Sequence, residues 1–220
     1  MELFRTDAKH RDEGWKDRLN AAFWPARLGS FTQYVMQNDV TGHFCYRLGR
    51  DENDGGEAAI ESAGIVDYAI EKGIGLILWP SDEPQPIWEF RLGDVLSYRL
   101  YGTCFAPRFW NEPPDTQGGE ILQEREEVLL GQPNDEMFPP IVRHAVRRYM
   151  REKLGIREPK VTLMQRPNRG SRLVFELRED EVGGADKAFA AFNRIAWLIP
   201  DCIPLYHMPS MAGSSAMMPI

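Results

Sequence analysis

Apolar positions recur at two spacings along the chain, and the switches between them mark out its elements. Residues 12–22 have helical composition, and Pro25 follows where a helix would have to stop. Residues 31–35 and 43–48 alternate apolar and polar side chains with the period of short strands. Residues 49–56 are polar and glycine-rich, with too few apolar side chains to pack. From about 57 to 72 the spacing changes. Ala59, Ile60, Ala63, Val66 and Ile70 recur at three and four residues, which predicts a helix with Gly73 at its C-cap.

The chain then reads as if a unit were repeated. Residues 76–95 and 161–182 are each two extended runs joined by a turn rich in Pro, Gly, Asp or Asn, the signature of a hairpin. Trp88-Glu-Phe-Arg91 overlays Phe175-Glu-Leu-Arg178, and an aliphatic residue, Ile87 or Val174, precedes each. Residues 65–70 overlay 141–146 on the preceding helices. Beyond the hairpins, residues 103–107, with Cys104, overlay 201–204, with Cys202. Each unit therefore reads as helix, hairpin, a further segment and a short Cys-bearing strand. In the second unit that further segment is helical, because Ala188, Phe189, Phe192, Ile195 and Ala196 form an apolar stripe.

The fold class expected is α+β: two similar helix–hairpin–helix–strand units with mainly antiparallel sheets covered by helices, since one apolar sheet face needs a cover. Duplication and convergent hairpin chemistry account for the repeat equally well. The boundaries expected are an N-terminal unit over 1–106, a Pro- and Gly-rich linker over 107–119 and a second unit over 120–208. The tail, 209–220, has little periodicity and is expected to be flexible unless its methionines dock.

The second half also resembles a known family. Val128-Leu-Leu-Gly-Gln-Pro133, Phe138-Pro-Pro-Ile141, the helix to Leu154, the strand Pro159-Lys-Val-Thr-Leu163, Arg172-Leu-Val-Phe-Glu176 and the closing Leu198-Ile-Pro-Asp-Cys-Ile-Pro-Leu205 are similar to the C-terminal domain of the SseB-like (enhanced serine sensitivity) proteins. The resemblance covers residues 128–208 and lies in spacing and apolar pattern, with no diagnostic chemical motif. It implies a cytoplasmic bacterial α+β protein with no established catalytic residues, and so a fold without a mechanism.

Composition narrows the class. A chain of 220 residues can bury a core in one domain or two small ones, and 43% hydrophobic with 27% charged residues excludes wholesale disorder and fibrous architecture. The N-terminal residues contain no apolar stretch of a secretory signal, and no apolar run approaches the ~20 residues that cross a bilayer. Cys45, Cys104 and Cys202 are an odd, widely spaced set without a Cys-x-x-Cys pair, which fits reduced thiols and a cytoplasmic location without membrane attachment.

Candidate chemistry is sparse. His43 and Cys45 share one strand face, an arrangement that a zinc site or a Cys–His nucleophile would use. Zinc needs more ligands than these, catalysis needs an orienting third group, and His10, His144 and His207 have no metal-ligand spacing. Cys104 and Cys202 are a conceivable redox pair, although buried cysteine ordinarily acts as a small hydrophobe. Gly73-Ile-Gly75 precedes a strand, whereas a phosphate loop must follow one and open a helix. No catalytic residue, metal or cofactor is assigned.

Charge is more informative. The net of -7 hides a local excess: residues 143–178 hold 11 Lys and Arg against 3 Asp and Glu, leaving 15 bases and 30 acids elsewhere. Arg143, Arg147 and Arg151 share one helix edge with His144 and Arg148 alongside, and Arg169 and Arg172 extend the region. Trp110 is the best candidate for an exposed aromatic contact. The patch reads as a solvated surface partly answered by the acidic run 120–136, as a dock for an acidic protein, or as an RNA site without a stacking platform. The function expected is a non-enzymatic interaction or regulatory module docking through that basic edge. The alternatives are a small Cys-dependent hydrolase or redox enzyme and an RNA-binding protein, and homodimerisation through an open sheet edge is compatible with each.

Overall fold

The computed structural model describes residues 6–23, 28–37, 43–49, 59–60, 62–79, 86, 88–107, 127–166, 170–206 and 216–220. The chain divides into two compact units, Met1–Ala106 with Trp197–Pro200, and Pro107–Ala196 with Asp201–Ile220.

The first unit opens with α1 (Glu13–Phe23), capped by Asp12, whose Oδ1 accepts the Trp15 N–H at 2.8 Å. The helix buries Trp15, Leu19 and Phe23, one turn apart on one face. There follow β1 (Leu28–Gln37), β2 (Phe44–Gly49), β3 (Ala59–Ile60), α2 (Ser62–Lys72), β4 (Gly75–Leu78), β5 (Trp88–Phe90) and α3 (Leu92–Tyr101). The strands form one sheet in the order β3-β1-β2-β4-β5, in which β2 and β4 are parallel and the other pairs antiparallel. The connection from β2 to its parallel neighbour β4 contains α2.

Two expectations for this unit are corrected. The helix predicted from residue 57 begins at Ser62, because Ala59 and Ile60 pair with Gly29 and Leu28 of β1 instead of joining the helical stripe. Its C-terminus falls where expected: Gly73 adopts φ 69°, and Ile74 N–H returns to the Ala69 carbonyl. The Cys-bearing strand expected at 103–107 is a turn. There the Thr103 carbonyl accepts from Ser97 Oγ and the Cys104 N–H donates to Asn20 Oδ1, so helix side chains satisfy groups that a neighbouring strand would otherwise pair. The core joins α1 to Ile65, Val66 and Ala69 of α2, Leu76 and Leu78 of β4, Phe90 of β5 and Val95 of α3. Trp15 meets Trp88 at 4.9 Å and Phe23 meets Phe90 at 4.6 Å between ring centroids.

The second unit contains β6 (Leu129–Gly131), α4 (Pro140–Glu152), β7 (Lys160–Arg166), β8 (Gly170–Phe175), α5 (Glu179–Val182), α6 (Ala185–Trp197), β9 (Leu205–Tyr206) and β10 (Met218–Pro219). Only the last residue of α6 belongs to the first unit. The sheet runs β10-β7-β8-β9, with β8 and β9 parallel and the remaining pairs antiparallel. The outer edge of β7 is shared: β6 pairs along residues 163–165 and β10 along 160–161. Cys202 lies in a turn, and the strand expected around it begins at Leu205. Of the tail, expected to be flexible unless its methionines dock, residues 216–220 are described, and there Met217 and Ile220 are both buried.

The protein is thus α+β, with mainly antiparallel pairing and one parallel pair in each sheet. The order helix, hairpin, helix recurs. In both units an arginine after the second hairpin strand, Arg91 or Arg178, is the N-cap of the next helix and pairs with a following aspartate, Asp94 or Asp180. The sheets are nonetheless wired differently. The parallel neighbour joins the first hairpin strand in unit one, β2 on β4, and the second in unit two, β9 on β8. Among the described residues no helix is long and apolar enough to cross a membrane.

Candidate functional site

The helix α4 places the basic residues. Pro139 and Pro140 start it, since proline at the first turn removes no needed N–H, and Val142, Ala145, Val146 and Met150 bury its inner face. At 100° per residue the opposite side carries His144, Arg147, Arg148 and Arg151, spaced i, i+3, i+4 and i+7. His144 and Arg151 are exposed, and Arg147 and Arg148 flank them half-buried.

Of the six side chains predicted to bind a partner, the four that lie among the described residues do not form one exposed patch. Arg143 is drawn inward: its guanidinium donates to Asp135 Oδ1 and to the Phe138 carbonyl, both at 3.0 Å, and lies 5.6 Å from the Phe138 ring centroid. Arg147 Nη1 donates to the main-chain oxygen of Ile220 at 3.4 Å. Arg151 stands exposed as expected. Arg172 is corrected: only 5% exposed, it lies on the face of β8 that turns toward Met164, so it presents no charge at the surface. Arg169 and Trp110 lie outside the described residues. What the predicted edge underrated is the pair beside it, His144 and Arg148, and the signal for them was the same four-residue spacing counted from position 144 rather than 143.

The pair His43 and Cys45 takes part in a buried polar cluster of the first unit. Cys45 pairs with Gly75 across the parallel β2–β4 ladder, and a β-carbon at Gly75 would stand 2.8 Å from the Trp197 ring, so that indole lies where glycine leaves room. His43 stacks on Trp197 at 4.1 Å between centroids and 6° between planes. Glu89 Oε1 accepts from Trp197 Nε1 at 3.3 Å and from Cys45 Sγ at 3.8 Å. Glu89 and Trp197 were invisible as a pair in the sequence, which separates them by 108 residues.

This environment suppresses thiolate chemistry. Burial, with the nearby Glu89 carboxylate adding to it, pushes the Cys45 thiol up to about 12, against a lowering from the Gly75 backbone hydrogen bond. A nucleophile needs the opposite shift. Cys104 and Cys202 are also buried, and none of the three is in a disulfide. Iodoacetamide at pH 8 is therefore expected to modify all three slowly until the chain is denatured, and rapid labelling of Cys45 in the folded protein would restore the hydrolase or redox reading. The sign of the pH effect follows. The folded thiol keeps its proton up to about 12 while an unfolded one releases it nearer 9.0, so this stabilisation is complete below pH 9 and is lost as pH rises toward 12. Cys45→Ala should flatten that part of an alkaline denaturation curve.

A hollow of about 410 Å³ in the second unit is lined by Arg157, Lys160 and Arg178 and by Glu158, Glu176 and Glu181. Its buried Glu176 pairs with Lys160 at 3.3 Å, so the charges largely answer one another. Among the described residues no group of three or more His, Cys, Asp or Glu is arranged to hold a metal ion. No protein-family model, no curated protein and no solved structure matches the chain.

Proposed function

We propose that the protein is a non-enzymatic interaction or regulatory module that docks an acidic protein surface on the outer face of α4. The observation that supports this reading is the stripe His144, Arg147, Arg148 and Arg151. Like charges at i, i+4 destabilise a helix by about 0.2–0.5 kcal/mol per pair, and Arg147–Arg151 is such a pair. An ordinary solvated helix intersperses acids at these positions, whereas Glu152, at the end of α4, is the only acid on the helix. A carboxylate-bearing partner relieves that repulsion, and it gains most through the electrostatic contribution to encounter and orientation. The high position of the Cys45 thiol argues against the enzyme reading. The resemblance to SseB-like proteins, a bacterial and cytoplasmic family, belongs to this proposal and adds no mechanism to it.

The test is affinity capture from cell extract with the full chain and with Arg148→Glu/Arg151→Glu. Both sites are on the outer face, so the variant should melt within roughly 3 °C of the parent, as surface substitutions usually change stability by about 0.5 kcal/mol or less. At least one captured protein is expected to fall ten-fold or more and to weaken with added salt. An unchanged set of captured proteins would overturn the proposal. Loss of capture after ribonuclease treatment would assign the stripe to RNA instead.

A further inference from the structure

The C-terminal residues 216–220 occupy the sheet as a separate ligand would. Met218 and Pro219 pair with Val161 and Lys160 on the outer edge of β7, the Ile220 N–H donates to the Pro159 carbonyl at 3.0 Å, and Arg147 donates to the Ile220 carbonyl. Met217 and Ile220 are 7% and 8% exposed, whereas Met218 and Pro219 between them face solvent. Three residues apart in an extended chain, the two anchors lie on opposite faces of the sheet, so the edge is gripped from both sides. Met217 enters a small cluster with Met164 and Val174, against which the half-buried Val128, Leu130 and Tyr206 pack. That cluster is separate from the α4 stripe, with which the inference drawn here shares only Arg147.

We propose that the β7 edge over residues 159–161, with Arg147 and the Met164–Val174 pocket, is a peptide-recognition groove. It is filled in cis by residues 216–220, and it takes in trans an extended partner peptide of the pattern apolar, any, any, apolar, with Met, Leu or Ile at the ends. These contacts supply both halves of β-augmentation: main-chain pairing to a sheet edge for affinity, and side-chain anchorage for selectivity. The chain's own strand is a weak occupant. It is two residues long, and Pro219 brings no N–H to the ladder. As part of the same chain it binds intramolecularly, without the loss of freedom that bringing two molecules together costs. A partner joined at high local concentration, or one with better anchors, displaces it.

The experiment compares the full-length parent with full-length Met217→Asp/Ile220→Asp, in which carboxylates replace both anchors and expel the segment. A fluorescein-labelled peptide of residues 214–220 is titrated into each, and binding is read as anisotropy. The variant is expected to bind at least ten-fold more tightly than the parent, adding Arg147→Ala should weaken that binding several-fold, and a peptide carrying Asp at both anchor positions should not bind. A folded variant that ignores the peptide would overturn the proposal. So would a parent that sediments as a dimer and a variant that sediments as a monomer, because the occupant would then be the segment of a second copy. Should the variant fail to fold, hydrogen exchange on the parent decides. The groove reading expects the Ile220 amide to exchange at least a hundred-fold faster than those of Leu173 and Val174 in β8, and equal protection would overturn it.

Discussion

Replacing Gly93 by alanine should destabilise the first unit strongly, although local helix propensity predicts the opposite sign. Gly93 sits in the first turn of α3, where exchanging glycine for alanine would ordinarily gain up to about 1 kcal/mol. Here a β-carbon would stand 2.3 Å from the Ile199 carbonyl oxygen and 2.6 Å from its carbon. Those are backbone atoms, so no side-chain rotation relieves the overlap, and overpacking of this kind costs about 1–3 kcal/mol and occasionally more. The contact therefore outweighs the propensity, with a net loss of roughly 2 kcal/mol and a fall in Tm on the order of 10 °C. Gly102→Ala is the control. Its φ is +73° but nothing lies within 4 Å of the added atom, so only the left-handed conformation is charged against it, about 1 kcal/mol. Thermal unfolding followed by tryptophan fluorescence separates the two, and a Gly93→Ala protein as stable as the parent would show that the 197–200 segment is not seated against α3.

Gly93 also illustrates where the sequence ceases to be legible. Elements whose partners are near in sequence were readable: the helix over residues 12–22, the end of α2 at Gly73 and both hairpins follow from local composition, period and turn chemistry. Elements decided by remote pairing were misread. Ala59 and Ile60 fit a helical stripe equally well, and only the arrival of β1 thirty residues earlier in the chain makes them a strand. Cys104 and Cys202 fit short strands, but their segments found their hydrogen bonds or their positions elsewhere. The repeat is legible only in its local part: helix, hairpin and cap recur, while the parallel neighbour that fixes each sheet's wiring comes from far along the chain.

The candidate site divides in the same way. The basic character of α4 is a property of 13 consecutive residues and was visible at once. Which arginines remain available was not, because Asp135 withdraws Arg143, the Ile220 carbonyl takes a hydrogen bond from Arg147, and strand alternation turns Arg172 inward. Cys45 lies in β2 as expected, whereas His43 falls just before the strand begins at Phe44, and both are buried. Their chemistry depends on Glu89 and Trp197, whose proximity no spacing rule reveals.

Trp197→Ala is expected to be the most damaging single substitution in that cluster. The side chain is 4% exposed, and removing a buried aromatic of this size costs about 3–5 kcal/mol. Three contributions are separable. Burial over the bare Gly75 supplies most of the loss, the His43 stack is worth about 0.5–1.5 kcal/mol, and the bond from Nε1 to Glu89 about 1–3 kcal/mol. Trp197→Phe retains an aromatic ring and loses the N–H, so it should cost roughly half as much as Trp197→Ala. Glu89→Leu removes the acceptor and leaves a buried indole N–H to be satisfied, at about 1–3 kcal/mol. Because Trp197→Phe and Glu89→Leu each abolish the same bond, their double variant should be less destabilised than the two singles together by roughly 0.5–3 kcal/mol. Chemical denaturation of the four proteins measures this. Strict additivity would mean that Glu89 and Trp197 do not interact. A loss below about 1 kcal/mol in Trp197→Ala would mean that the indole is not packed against β4 at all.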